Sequence, residues 1–306
     1  MNIIVMGAGA IGSLFGAVLS KRNHVSLVGR TPHITRITKK GLRITGKTNI
    51  TVNVEAVDSV DQINNKSPDL VILTVKSYDT ENAARMIKPI LSDNTIVLSL
   101  QNGLNNLEKI GKIINQKKIV AGVTTHGAVF TKPGIIKHTG LGKTILGELN
   151  DNLTKRVQNL ASVFKQADID ANISTNICSE IWIKTIINSS INPITGILKC
   201  KNGCLLEYPL LEKLVEETCK ESSAVARTTG VKLIDANIIK MTKKVIKDTS
   251  ENYSSMLQSL QKGKKTEIDS INGKIIEIGK QYGVKTPFNE TLFSLVKALE
   301  KDVLIG

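Results

Sequence analysis

The hydrophobic positions fall into two regimes along the chain. Up to about residue 168, short apolar runs recur between turn formers and amphipathic stretches: "NIIVMG", "HVSLVG", "DLVILTVKS", "TIVLSLQNG" and "KIVAGVTTHGA". Continuous short runs of this kind mark strands buried on both faces, and helical connectors between them predict a mainly parallel sheet built from alternating β and α. "TKPGIIKHTG" and "KTILGE" predict a hairpin that ends the region. From about residue 170 strand signals fade and helical periods take over, as in "LLEYPLLEKLVEETCKESSAVARTTG", where a glycine marks the C-cap. The expected organisation is α/β: a parallel-sheet domain over residues 1–168 and an all-α domain over residues 169–306, with a short junction between them.

The first strand runs into Gly7, Gly9 and Gly12 in G-x-G-x-x-G spacing, with Ala10 and Ile11 opening an unbroken helical pattern. This context makes the N-terminal domain Rossmann-type. Gly7 permits the tight turn, Gly9 leaves room for a pyrophosphate, and Gly12 lets helix and strand pack closely, while the helix N-terminus offers free N–H groups to phosphate. A site for NAD carries an acidic residue at the end of the second strand; this chain has Gly29-Arg30-Thr31. The Arg30 guanidinium suits a 2′-phosphate, so NADPH is expected, with NADH left open. Lys76 and the "QNG" turn, Gln101 to Gly103, stand at carboxyl ends of later strands, where such sheets bind ligands.

In the helical half, "IWIKTIINSSINPITGI" sets Lys184, Asn188 and Asn192 at i, i+4 and i+8, a single polar stripe flanked by isoleucines. Two readings fit. Either the stripe meets a polar ligand in a partly buried place, or Lys184 reaches solvent and the asparagines bond locally, Asn192 ending the helix before Pro193. A second polar cluster, Asn252, Ser255, Glu267 and Asp269, lies in "ENYSSMLQSLQKGKKTEIDSINGKIIEIGKQYG". There "TEIDSINGKIIEIG" reads as a helix with Ile268, Ile271 and Ile275 on one face, interrupted only weakly by Asn272-Gly273.

Composition narrows the class without choosing the ligand. A chain of 306 residues with 41% hydrophobic and 22% charged residues has room for two ordinary cores and is not of the disordered type. Its formal charge of +14 attracts anions, but the basic residues are dispersed and bring no nucleic-acid motif, so nucleic-acid binding is not expected. Cys178, Cys200, Cys204 and Cys219 form no CxxC pair and sit with no histidine cluster, which leaves out zinc and reads as reduced thiols. His126 and His138 have no carboxylate orienter nearby and read as structural. No apolar run approaches a membrane span, and the expected setting is the cytoplasm.

Taken in order, "MGAGAIGSLFG", Lys76, "QNG", "KTIINSSINPITGI", "SSMLQSLQKGKKTEIDSINGKI" and "GVKTPFNETLF" resemble the ketopantoate reductase (2-dehydropantoate 2-reductase) family over nearly the whole chain. The resemblance implies NADPH-dependent reduction of 2-dehydropantoate to (R)-pantoate in pantothenate and coenzyme A biosynthesis. It implies that Lys184 is the general acid and that Glu267 holds the substrate hydroxyl and helps hold the lysine. Asn188, Asn192, Asn252 and Ser255 would bind substrate, and Asn102 both substrate and cofactor. Gly7, Gly9, Ala10, Ile11, Gly12, Arg30, Lys76 and Glu267 would serve the cofactor. The helical domain is where a homodimer would pair. The rival readings are a reductase of another branched 2-oxo acid, a non-catalytic NADP-binding regulator, and a salt-sensitive nucleic-acid binder.

Overall fold

Every side chain of Asn2–Met6 (β1) is buried, as the unbroken apolar run requires. In this computed structural model, residues 1–233 and 237–305 are described, with side chains as far as residue 301. β1 lies between His24–Val28 (β2) and Leu70–Leu73 (β6), parallel to both. The other strands are Leu42–Gly46 (β3), Ile50–Val52 (β4), Glu55–Val57 (β5), Ile96–Ser99 (β7), Ile119–Thr124 (β8), Gly127–Lys132 (β9), Ile135–Gly140 (β10), Thr144–Gly147 (β11) and Ala171–Ile173 (β12).

The main sheet has the order β12-β11-β8-β7-β6-β1-β2-β5, parallel throughout except where β11 runs against β8. Strand order reverses at β1, so the crevice beyond its carboxyl end is the switch point at which such sheets bind ligands. Ala10–Leu19 (α1), Thr31–Lys40 (α2), Thr80–Ile87 (α3), Asn106–Gly111 (α4) and Lys155–Gln166 (α5) accompany these strands. Ile3, Val5, Leu27 and Phe15 belong to one buried cluster of this unit, and Ile4, Val71, Val97 and Ile110 to another. Alternate residues of β1 thus feed two cores, the expected result for a strand covered on both faces.

The expected terminal hairpin divides between two sheets. "TKPGIIKHTG" forms the β9–β10 hairpin of a separate four-stranded sheet, β4-β3-β10-β9, whereas "KTILGE" supplies β11 of the main sheet. His126 and His138 belong to this region: their rings are joined at 3.1 Å, and His138 also bonds Thr48 Oγ1 and the Gly140 carbonyl. Burial holds the His126 pKa down at about 4, so this ring is neutral near pH 7. A strand also forms where strand signals had faded. Ala171–Ile173 pairs in parallel with β11, and the first unit comprises Met1–Gln101 and Asn106–Ile177.

The second unit comprises Asn102–Asn105 and Cys178–Gly306. Its helices are Ile177–Leu198 (α6), Cys204–Glu207 (α7), Pro209–Thr228 (α8), Ile238–Asp248 (α9), Ser255–Leu260 (α10), Asn272–Gln281 (α11) and Pro287–Ile305 (α12). Its core gathers Ile186, Ile191, Val215, Cys219, Val225 and Ile275.

Three local expectations are corrected here. The helix does not end at Asn192: α6 runs through Pro193 to Leu198. Proline has no N–H for the carbonyl four residues back, and an interior proline costs about 3 kcal/mol unless its surroundings compensate. The Ser189 carbonyl instead accepts from Asn272 Nδ2 at 3.1 Å. Secondly, "TEIDSINGKIIEIG" is not one helix. Residues 267–271 are bend and turn, and α11 begins only at Asn272. The turn is secured by Ser270 and Ile271 N–H groups donating to the Glu267 carbonyl, each at 3.1 Å, while Thr266 N donates to the buried Glu300 carboxylate. Thirdly, Cys200 and Cys204 are joined in a disulfide rather than standing as free thiols. Lys199, at φ 54°, turns the chain out of α6 and brings them within 6.4 Å, Cα to Cα.

Candidate active site

The polar groups singled out in the sequence gather in two places, one in each unit. In the first unit, backbone geometry dominates. Gly7 takes φ +108°, and a Cβ there would stand 2.6 Å from the Val75 nitrogen. A Cβ on Gly12 would meet the Gly7 carbonyl at 2.2 Å and Thr74 Oγ1 at 2.4 Å. Around Gly9 the opposite holds: its Cβ would meet nothing within 4 Å. The loop is therefore closed where helix and strand touch and open at the one position where a pyrophosphate needs the backbone bare. Ala10 and Ile11 begin α1, and first-turn amides of a helix have no partner within it.

Arg30 is the N-cap position of α2, directly after β2, and its side chain is exposed and forms a 3.8 Å ion pair with Asp79. Screening makes such an exposed pair weak, so the guanidinium is available to a phosphate. Lys76 follows β6 and precedes a short 3₁₀ turn, Ser77–Asp79. The Gln101 side chain donates to the Val75 carbonyl and to Thr80 Oγ1, which makes Gln101 a brace of the strand ends. These placements fit a nicotinamide dinucleotide: an open glycine, free helix amides and a cation at the end of β2.

In the second unit, side chains dominate. Lys184, Asn188 and Asn192 all lie on α6, as the i, i+4, i+8 spacing expects. Lys184 is half-buried, Asn192 is buried, and neither carboxamide has a hydrogen-bond partner among the described residues. Burial pushes the Lys184 ammonium down to about 8, while the neighbouring charge of Glu267 works in the opposite direction. Glu267 is buried, and its carboxylate accepts from Asn102 Nδ2 at 3.5 Å. Asn102 is held there by the QNG turn: Gly103 takes φ +96°, a Cβ on it would strike Ser270, and the next residue, Leu104, donates its N–H to the Ser270 carbonyl at 3.0 Å.

Near the C-terminal end of α6, Thr195 Oγ1 shares a 2.8 Å hydrogen bond with Ser254 Oγ, the N-cap of α10. That bond sets Ser255, exposed at the first position of α10, near the far end of the stripe. Asn252 is half-buried, and its carbonyl accepts from Asn202 N. The structure therefore associates Lys184, Glu267 and Asn102 at one end of the α6 stripe and Ser255 at the other. Asp269, part of the same sequence cluster, instead pairs with Lys265 and Lys297. Sequence reasoning missed Thr195, which ties α6 to Ser254, and Asn272, which bonds the Ser189 carbonyl of the stripe's own helix. A proline inside an apolar helical pattern was the available signal, because it guarantees an unanswered carbonyl. Among the described residues no cluster of ligands suits a metal ion.

Comparison with known proteins follows the same division. The description "Ketopantoate reductase PanE/ApbA" matches residues 3–151, and its C-terminal counterpart matches residues 176–300. The chain belongs to the ketopantoate reductase family. It is 42% identical to a 2-dehydropantoate 2-reductase of Pyrococcus abyssi over 98% of both chains. Among solved structures it resembles a PanE/ApbA family ketopantoate reductase from Ralstonia eutropha, 31% identical with a TM-score of 0.91, covering 99% of this chain and 100% of that one. It also resembles a D-mandelate dehydrogenase solved with NADH and anilino(oxo)acetate, 30% identical with a TM-score of 0.93 over 99% of both chains. Nicotinamide-dependent reductase chemistry on a ketopantoate reductase fold is thus a family property, and the fold also carries a dehydrogenase whose complex holds NADH.

Proposed function

We propose that this chain reduces 2-dehydropantoate to (R)-pantoate with NADPH, a step of pantothenate and coenzyme A biosynthesis. One observation carries the reading: a half-buried lysine with a buried carboxylate beside it shares a helix face with two carboxamides that have no hydrogen-bond partner among the described residues.

When bound, the cofactor supplies a hydride to the 2-oxo carbon. Negative charge then develops on the carbonyl oxygen, and a fixed cation directed at that oxygen lowers the barrier. Lys184 fills this role and passes its Nζ proton to the nascent alkoxide, a transfer eased by a pKa near the working pH. Glu267 keeps the ammonium charged and accepts from the substrate hydroxyl. Asn188 and Asn192 orient the substrate along the stripe, while Ser255 and Asn252 receive its carboxylate. Asn102, already bonded to Glu267, serves both substrate and cofactor. In the first unit, Gly7, Gly9, Ala10, Ile11 and Gly12 form the phosphate loop, Arg30 takes the 2′-phosphate, and Lys76 lies toward the nicotinamide half. The enzyme works in the cytoplasm and pairs as a homodimer through its helical unit. No helix among the described residues is long and apolar enough to cross a membrane.

The similarity to D-mandelate dehydrogenase favours a second reading, reduction of another 2-oxo acid with NADH. Cofactor oxidation followed by absorbance separates the two. The proposal expects turnover with 2-dehydropantoate and NADPH at a kcat/KM at least about tenfold above that with NADH or with an aryl 2-oxo acid. Equal or better turnover of the aryl acid would replace the substrate, and no turnover despite nucleotide binding would replace the activity.

A further inference from the structure

Asn272 has no role in the chemistry above, yet it is completely buried, and its Nδ2 donates both to the Ser189 carbonyl at 3.1 Å and to Asn289 Oδ1 at 3.0 Å. Ser189 is the fourth residue before Pro193, so its carbonyl is the one the proline leaves without an intrahelical donor. The orientation of the Asn272 amide follows from these partners: both are acceptors, and a reversed amide would set oxygen against oxygen. Its own Oδ1 is left buried without a partner among the described residues, a cost accepted only because the opposite edge is engaged twice.

Asn272 is itself fixed from behind. Asn289, also completely buried, donates its Nδ2 to Glu221 Oε2 at 2.9 Å and to Ser222 Oγ at 3.2 Å. The Glu221 carboxylate in turn accepts the N–H groups of Phe288 and Asn289 at the start of α12. Ser222 Oγ closes the network onto Ser189 Oγ at 3.1 Å. A chain of hydrogen bonds therefore runs from α8 and α12 through Asn272 to the Ser189 carbonyl, the acceptor inside α6 that Pro193 leaves without an intrahelical donor.

That acceptor lies between the two carboxamides of the stripe. Lys184 and Asn188 precede Ser189, and Asn192 immediately precedes the proline. A proline kink changes the direction of everything on one side of it relative to the other. We propose that Asn272 is a positioning residue for substrate: by answering the Ser189 carbonyl it fixes the course of α6 through Pro193, and with it the angle at which Asn192 stands to Lys184 and Asn188. This rests on the stripe being the substrate site.

The test is a double-mutant cycle on the full chain, with Asn272→Leu, Pro193→Ala and both together. Steady-state kinetics are measured with 2-dehydropantoate and NADPH, and hydrogen–deuterium exchange is measured across α6. Asn272→Leu raises the KM for the 2-oxo acid about tenfold, leaves the KM for NADPH within about twofold, and speeds exchange in residues 189–198. In Pro193→Ala the new N–H at 193 answers Ser189, so adding Asn272→Leu changes substrate KM and exchange by less than about twofold. Should Asn272→Leu fail to fold, recovery of folding in the double variant supports the inference in the same way. Additive effects of the two substitutions, or a double variant that stays unfolded while Pro193→Ala folds, would overturn it. A wild-type enzyme silent toward 2-dehydropantoate would count against the substrate assignment alone, since the exchange cycle still reads the coupling.

Discussion

The glycine loop of the first unit and the α6 stripe of the second are both prepared for ligands, by opposite means. The loop works by omission: side chains are missing where backbone or phosphate must come close, and bare N–H groups do the binding. The stripe works by placement: an ammonium, with the Glu267 carboxylate beside it, and two carboxamides without hydrogen-bond partners among the described residues are set into a largely apolar helix. Omission tolerates little change in shape but involves no titrating group. Placement tolerates change in shape but depends on charge and pH. The two sites should therefore fail differently when altered.

The largest effect is expected at the stripe. Lys184→Ala lowers kcat by about 10²- to 10⁴-fold, with NADPH binding, followed by fluorescence, retained. The loop comes next, and two neighbouring glycines should separate binding from stability. Gly9→Ala fills open space, so Tm stays within about 1 °C of wild type while the KM for NADPH rises about tenfold or more. Gly12→Ala drives a Cβ against the Gly7 carbonyl and lowers Tm by roughly 5 to 10 °C. If both glycines lost Tm equally, the open space at Gly9 would need another explanation. Arg30→Ala should raise the KM for NADPH about tenfold, with that for NADH little changed and with no loss of stability, since its pair with Asp79 is exposed. Ser255→Ala is the mildest, raising substrate KM by roughly three- to tenfold, the worth of one hydrogen bond.

The contrast also explains what was legible in the sequence. The parallel sheet, the glycine turn and the polar stripe follow from local periodicity and spacing, and they stand in the structure at the residues expected. Helix α6 continues past Asn192 because Asn272, remote in sequence, supplies the hydrogen bond that Pro193 cannot, and no local rule contains that residue. The turn at residues 267–271 looked helical because its isoleucines repeat at helical spacing. Its backbone is committed instead to the packing that buries Glu267, with Thr266 N bonded to Glu300 and Leu104 N to the Ser270 carbonyl. Strand Ala171–Ile173 is too short to show a pattern and exists through its pairing with β11. The disulfide between Cys200 and Cys204 likewise depends on the turn at Lys199, which spacing alone does not reveal.

The central claim is that burial tunes Lys184 to act as proton donor, and the pH profile of kcat/KM for 2-dehydropantoate tests it most directly. Burial lowers the Lys184 pKa to about 8, so the protonated donor, and with it the rate, is lost as pH rises through that value. The Glu267 carboxylate raises the same pKa, so in Glu267→Gln the alkaline limb must move to lower pH. A falling limb near pH 8 in the wild type, displaced downward in Glu267→Gln, is the predicted result. A profile flat to pH 10, or a limb that moves upward in the variant, would contradict it.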